Sequence, residues 1–533
     1  MFVRTKKVKI RKATYEYLQV VNNSRFGNKV KQKVVATLGR LDALRDNGDI
    51  DGILRSISRF SDELTVTQKL QEGSVKSNWV KSWGACIVFE KLWKNVGLDR
   101  VIRELAAQSN FQFDLERAVF ASVLNRLVNP RSDLATHSWL RQVYAEGFDR
   151  LDLQHLYRSM DFLADYQPEI EKALFDRGRN LFDYGVDLVF FDTTSTYFEG
   201  RGPDGMAAFG HSKDHRPDRV QIIVGVVMSR RGYPISCQFF DGNTADVRTI
   251  RRVIDIVKRR FELKRVILVA DRGMVSVNNL MDLETAGVDY IVGIPMRRYS
   301  DVKNELVVTP GYYQALSPTF WFKEVFLNDC RYVLCYNDDQ AKKDHADREA
   351  IVETLKSSLK NGGIKALVGN KGYRKYLEVD AGAARINIAK LKDEERFDGK
   401  YVLLTSLSKS EFSAEDVAVS YKRLWQVERA HRDLKSVLEM RPVFHQRCDR
   451  VQGHIFCNFL SLYLKIALQK ELEKSRIKVP WRMVLDDLEA LKAIHFDWNA
   501  KEYLLRTEFT GCAYDVFKAV GAKPPKTLQG WTN

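Results

Sequence analysis

Two aspartates, Asp192 and Asp271, each close a short apolar run: Leu188-Val-Phe-Phe191 before the first, Val266-Ile-Leu-Val-Ala270 before the second. Such runs read as buried strands, and their carboxyl ends are where open α/β sheets place ligands. If the two strands are neighbours, the carboxylates converge. Either Asp alone reads as a turn or cap residue; two at matching ends, followed by acids on a later helix, point to a cation site. Magnesium takes hard oxygen ligands and keeps much of its water, so a few carboxylates completed by phosphate oxygens suit it. Three carboxylates can share two ions ~3.5–4 Å apart, which activate the attacking oxygen and stabilise the leaving one at phosphorus. No protein nucleophile is needed. The third acid lies on helical text from about Ser413 to Leu438, where Glu415, Asp416, Glu428 and Asp433 all occur and residue type does not choose among them.

The elements around these residues follow from the hydrophobic pattern. After the strand ending at Asp192 come strands at Val220 to Met228 and Tyr233 to Phe240, a helix from Thr244 to about Phe261, and the strand ending at Asp271. Three strands, a helix and a strand open a ribonuclease H-like sheet, which a helix Val277 to Ala286 and a strand Tyr290 to Ile294 continue. From Met296 to about Ser408 the text does not continue that sheet. Strands at Thr319 to Phe326, Arg331 to Tyr336, Tyr376 to Val379 and Tyr401 to Thr405 surround a charged helix near Asp347 to Leu359, and the segment reads as a β-rich insertion. Upstream, about Trp79 to Asn180 is helical. Tyr15 to Val21 and Val30 to Ala36, around Asn22-Asn-Ser-Arg-Phe-Gly27, read as a β-hairpin.

Charge narrows the partner. The chain carries a formal net charge of +16, and residues 1–40 hold eleven basic residues against Glu16 alone. Clustered Lys and Arg gain counterion-release energy on phosphate backbones; a solvated basic face is the alternative. Seven scattered cysteines without a C-x-x-C pair indicate neither a disulfide framework nor a zinc site. Cys330 and Cys335, five apart on a strand, point to opposite faces and read as packing residues. The start of the chain shows no secretory signal. The apolar helix around Ile455 to Leu468 contains Asn458 and Lys465, so no membrane segment is expected.

Five motifs resemble one family: Phe191-Asp-Thr-Thr-Ser-Thr-Tyr-Phe-Glu-Gly200, Gly210-His-Ser-Lys-Asp-His-Arg-Pro-Asp-Arg219, Phe240-Asp-Gly-Asn-Thr-Ala-Asp246, Val269-Ala-Asp-Arg-Gly-Met274 and Tyr421-Lys-Arg-Leu-Trp-Gln-Val-Glu-Arg-Ala-His-Arg-Asp-Leu-Lys435. Together they resemble the IS4-like insertion-sequence transposases, most closely the IS1634-like branch, over nearly the whole chain. The resemblance implies that Asp192, Asp271 and Glu428 form a DDE triad holding Mg²⁺, with Mn²⁺ as an alternative, as two ions. It also implies a ribonuclease H-like core interrupted by the insertion. In the helix signature Tyr421, Glu428 and Lys435 fit, seven apart and so on one helix face, and the resemblance implies Tyr421 and Lys435 as DNA contacts, Lys435 to phosphate. Where the family has Arg, position 424 is Leu, and Arg423 or Arg432 is the substitute phosphate contact.

Further DNA contacts are expected from Lys213, Arg216 and Arg219, with His215, in the loop around Pro217, a solvated loop being the alternative. Arg272 either reaches the scissile backbone or pairs Asp271. Trp321 is a candidate to stack on an extruded base, at ~1–3 kcal/mol per base, or an insertion-core aromatic. His431 and His454 read as structural. The domains expected are a basic module, 1–50; a helical DNA-binding or linker region, 51–182; the core in two parts, 183–295 and 411–475; the insertion, 296–410; and a C-terminal helical region, 476–533. The implied activity is metal-dependent cleavage and transfer of DNA strands at the terminal inverted repeats of an insertion sequence. Double-stranded DNA is the partner, a homodimer the synaptic unit, and the bacterial nucleoid in the cytoplasm the location. A nuclease with the same core that never joins ends, and an inactive DNA-binding descendant, are the rivals. A tyrosine recombinase is weaker, since it needs Arg and His around a tyrosine nucleophile.

Overall fold

Alternation of apolar and polar residues at the start of the chain folds as three antiparallel strands, β1 (Phe2–Ile10), β2 (Ala13–Phe26) and β3 (Lys29–Arg40). The expected hairpin is β2–β3. Sequence reasoning misses β1 because most of that strand is exposed, so no buried face imposes a period of two. The structure, a computed structural model, describes all residues except 11–12, 27–28, 59–75, 179–185, 246–248, 264, 275–276, 300–301, 308, 361–366, 368–369, 381–382, 499–500 and 532–533.

Two compact units emerge, and their limits differ from the expected ones. The first joins Met1–Ser82 with Ala490–Thr510 and Pro524–Asn533. Besides β1–β3 it holds a four-stranded sheet in which β4 (Trp79–Ser82) pairs antiparallel with Lys492–Trp498, followed by Lys501–Arg506 and Leu528–Gly530. The expectation of an all-helical region at 476–533 is therefore corrected: helices Trp481–Ala490 and Ala513–Val520 alternate with three strands. Those strands are short, and one closes on a partner near the other end of the chain, which no local pattern reveals.

The second unit, Trp83–Glu489 with Gly511–Lys523, contains the helices, the main sheet and most of the segment expected as an insertion, without the breaks expected at 182, 295 and 410. Helices Leu115–Val128 and Leu153–Asp165 pack against the long helix Cys448–Lys474. By length and composition that helix is apolar enough to cross a membrane, but 89% of its most apolar window is buried inside the protein. Asn458, Ser461 and Lys465 are buried on it, as suits a core helix.

The main sheet has nine strands: β5 (Val186–Tyr197), β6 (Gln221–Ser229), β7 (Pro234–Asp241), β8 (Arg265–Ala270), β9 (Asp289–Ile294), β10 (Gln314–Ser317), β11 (Phe320–Leu327), β12 (Cys330–Asn337) and, after the two-stranded hairpin β13 (Leu377–Asp380) and β14 (Ala383–Ile386), β15 (Lys400–Thr405). Their order is β10-β11-β12-β15-β9-β8-β5-β6-β7. β5, β6 and β7 are antiparallel neighbours, whereas β8 runs parallel to β5 and β9 parallel to β8. The helix Thr249–Phe261 makes the β7-to-β8 crossover and buries Val253, Ile254, Val257 and Phe261 in the same core as Val189, Phe191 and Leu268.

Two expectations are overturned here. The segment 296–410 does not stand wholly outside the sheet, because β15 pairs antiparallel with β9 and carries β12, β11 and β10 with it, while β13 and β14 form a separate hairpin. The strand text was readable, but the edge that it joins is a long-range choice. The long helix at 413–438 is also interrupted: Ser413 caps Ala414–Lys422, and a new helix runs Trp425–Ser436. Between them, Leu424 N–H bonds to Tyr421 O and Gln426 N–H to Arg423 O, a tightened turn of i to i+3 bonds. Tyr421 therefore belongs to a different helix from Glu428 and Lys435. Of the two strand cysteines, Cys335 is buried and Cys330 exposed, so opposite faces hold but packing holds only for Cys335.

Candidate active site

Strand register puts the two aspartates side by side. The last parallel pair between β5 and β8 is Phe191 with Ala270, so Asp192 and Asp271 are the next residues on adjacent strands, ~4.8 Å apart in the hydrogen-bonding direction. β8 stops there. β5 does not end at Asp192 as expected but continues to Tyr197, supported from one side by β6, with Asp192 opposite Val226. Thr193, Thr194, Ser195 and Thr196 are buried in this extension, and β-branched residues favour the extended chain.

Glu428 arrives from above on the helix Trp425–Ser436, which packs on β5 and β6. Behind it, Lys465 of the long core helix donates to Asp433 Oδ2 at 2.7 Å and ties the two helices together. Partial burial, and then the charges of Asp192 and Asp271, raise the Glu428 carboxyl above the usual glutamate range, while Arg432 opposes this. Mutual repulsion of this kind marks carboxylates that share a site. Among the described residues, the ligand atoms of this triad do not all lie within 4.8 Å of one another. Oxygens on one ion at ~2.1 Å are at most about 4.2 Å apart, so this opening exceeds one ion's shell. Among the described residues, the set that does close to 4.8 Å is His495, Asp497 and Glu502, in the other unit.

Around the triad each expected residue takes a definite place. Tyr421 donates its hydroxyl to Asp271 Oδ1 at 2.9 Å, and burial followed by the Asp271 charge pushes its phenol well up. Gly293 on β9 permits this, because a Cβ there would lie 2.4 Å from the Tyr421 hydroxyl. Lys213 donates Nζ to Thr193 O and Oγ1 at 2.8 and 2.9 Å, fastening its loop to β5. Lys435 does not face open solvent for a phosphate: its Nζ is 2.6 Å from Asp214 Oδ1, which Arg441 also grips. Burial lowers the Lys435 pKa against the pull of Asp214. Arg216 is held bidentate by Asp218, and Arg219 by Glu199. Arg272 and Arg432 are exposed, Arg423 is half-buried, and Leu424 is buried at the turn between helices.

Trp321 lies apart from the triad, yet at the same edge of the sheet. Pairing carries Ile294 to Val402, Lys400 to Tyr336, and Tyr336 to Trp321. Trp321, Tyr336 and Lys400, with Tyr313, line a surface pocket of about 380 Å³. Trp321 is half-buried and its ring centroid is 5.7 Å from that of Tyr336. The two histidines diverge. His454 is structural, as expected: its ring nitrogens meet Arg126 and the Met440 carbonyl, and burial pushes its pKa down to about 3. His431 is buried beside Asp192, which sequence reasoning missed because spacing alone makes it an ordinary helical residue.

A sheet with paired aspartates at its edge and a glutamate helix laid across it defines the class. The chain belongs to the transposase DDE domain family, whose model matches residues 186–464, and the model of the IS1634 family transposase N-terminal domain matches residues 3–74. Among curated relatives, the putative transposase InsL for insertion sequence element IS186A of Escherichia coli K12 is 26% identical over 259 residues, covering 44% of this chain and 58% of that protein. The transposase for insertion sequence element IS421 of Escherichia coli matches to the same extent. The chain thus spans somewhat over half the length of these relatives. Among solved structures, a piggyBac transposase synaptic complex with hairpin DNA is 10% identical with a TM-score of 0.37, covering 76% of this chain and 79% of that one. A Drosophila P element transposase strand transfer complex is 14% identical with a TM-score of 0.20, covering 73% and 87%.

Proposed function

We propose that the protein is a DNA transposase that cuts and joins DNA at the terminal inverted repeats of its element, with a ribonuclease H-like core formed by β5–β9. The observation that carries this reading is the placement of Asp192 and Asp271 at one level on adjacent parallel strands with Glu428 facing both. Three carboxylates, of which Glu428 has its pKa raised by burial and then by the charges of the other two, form a donor set that fits hard divalent cations. On this reading Asp192, Asp271 and Glu428 hold two Mg²⁺ ions, or Mn²⁺, and the bound ions supply Lewis-acid stabilisation of charge on phosphate oxygens.

The chain's own groups do the rest. Tyr421 fixes the rotamer of Asp271, and Lys213 and the Asp214–Lys435–Arg441 cluster anchor the loop 210–219 against β5 and the Glu428 helix. Lys435 thus acts as an anchor, while Arg272, Arg423 and Arg432 are the cations placed to meet phosphates. Arg216 and Arg219 reach DNA by exchanging Asp218 and Glu199 for phosphate. Residues 1–40 supply sequence-independent attraction to the duplex, and a homodimer brings two ends together.

The test uses the purified protein, Mg²⁺ and a duplex carrying the inverted repeat that brackets the reading frame. Cleavage at the repeat and joining of the freed 3′ end to a target duplex are expected. Cleavage without joined product makes it a nuclease; binding alone makes it a regulator. Trp321 with Tyr313 and Tyr336 presents aromatic faces suited to an unstacked base, and we assign it to strand opening. Trp321→Ala is expected to lower cleavage of fully paired ends roughly tenfold, the cost of one lost stacking contact, with little effect on ends pre-opened by mismatches. Equal loss on both substrates would make it a packing residue.

A further inference from the structure

His431 lies one helical turn beyond Glu428 on the helix Trp425–Ser436, so the two side chains neighbour each other on the helix surface. The residue is 7% exposed. Neither Nδ1 nor Nε2 has a hydrogen-bond partner of ordinary geometry, and Nε2 lies 3.9 Å from Asp192 Oδ2. His454, equally enclosed, has both nitrogens engaged. The Asp192 backbone makes a loose contact with the ring, and an enclosed imidazole with no further partner on its nitrogens is short of one.

The distance says what that partner is. At 3.9 Å the contact to Asp192 is too long for a hydrogen bond. It lies within the ~4.2 Å that two atoms on one ion can span when each bond is ~2.1 Å. The cations nearest to His431 do not compete for its nitrogens, since Lys213 is bound to Thr193 and Lys435 to Asp214. We propose that His431 is a nitrogen ligand of the cation site at Asp192. The site is then a mixed nitrogen and oxygen site, which favours Mn²⁺ over Mg²⁺, because imidazole suits transition ions whereas Mg²⁺ selects oxygen. The inference rests on the triad reading above and adds a ligand to it.

Pulsed electron paramagnetic resonance of Mn²⁺ bound to the full-length protein, with and without a DNA end, reads the ligand directly. The wild type is expected to show ¹⁴N coupling from one imidazole. His431→Gln should lose that coupling and bind Mn²⁺ about tenfold more weakly, with a smaller change in Mg²⁺ affinity measured by competition. His431→Asn replaces it if the Gln variant does not fold. Bound Mn²⁺ without ¹⁴N coupling in the wild type overturns the proposal, as does coupling that survives in the variant. Asp192→Asn separates this from failure of the triad. If Mn²⁺ binding is unchanged by that substitution, or if the wild type binds no Mn²⁺ in either form, the triad reading falls as well.

Discussion

Asp192→Asn, Asp271→Asn and Glu428→Gln are each expected to abolish DNA cleavage, by roughly 10³-fold or more, while end binding stays within about twofold of wild type. Each replacement keeps the shape of the side chain and removes the charge that holds a cation, and loss of several kcal/mol of charge stabilisation at phosphorus has that size. On the proposed reading binding is spared, because it rests on basic residues outside the triad. The three residues work as one unit, so double variants should match single ones. Chelator should reproduce the defect in the wild type, which a tyrosine recombinase would not show. The checks are a cleavage assay and a gel-shift titration on the same folded preparations. Substantial metal-dependent cleavage by any one variant removes that residue from the site.

Deleting residues 1–40 should weaken binding to the terminal repeat by orders of magnitude at low salt and flatten its salt dependence. Each phosphate contact adds about 0.9 to the slope of log K against log salt, and the segment carries eleven basic residues against one acid. β1–β3 form a sheet of their own, and the deletion takes that sheet out whole. Affinity is measured across a salt series, with circular dichroism to confirm that the remainder folds. An unchanged slope would return the segment to the status of a solvated basic face.

The parts of this protein that were legible in the sequence are those whose signal is local. The strands leading to Asp192 and Asp271 are buried apolar runs whose text places β8 and the start of β5 within a residue or two, but not the extension of β5 to Tyr197. Strands β11, β12, β13 and β15 were equally legible one by one. Which edge β11, β12 and β15 join was not, because β15 reaching β9 depends on pairing between residues far apart. Glu428 shares its stretch with Glu415, Asp416 and Asp433, so composition could not select it; only the motif did. Tyr421 is separated from Glu428 by a break that ordinary helix formers conceal, and its hydroxyl bonds Asp271 across it. Lys435 looked like a phosphate ligand because its partner, Asp214, is remote in sequence and buried. His431 carries no signature in spacing at all.

The four-stranded sheet of the first unit also sets an order in time. Asn78, beside β4, bonds to His495, 417 residues further along, and the outermost strand is Leu528–Gly530. A ribosome releases the N-terminus first, so β4 has no strand to pair with until synthesis has passed Trp498. Contacts of such separation form late. A nascent or prematurely terminated chain can therefore carry β1–β3, and with them the basic charge, but not a finished first unit. Completion of that unit reports that the catalytic residues between its two halves have already been synthesised.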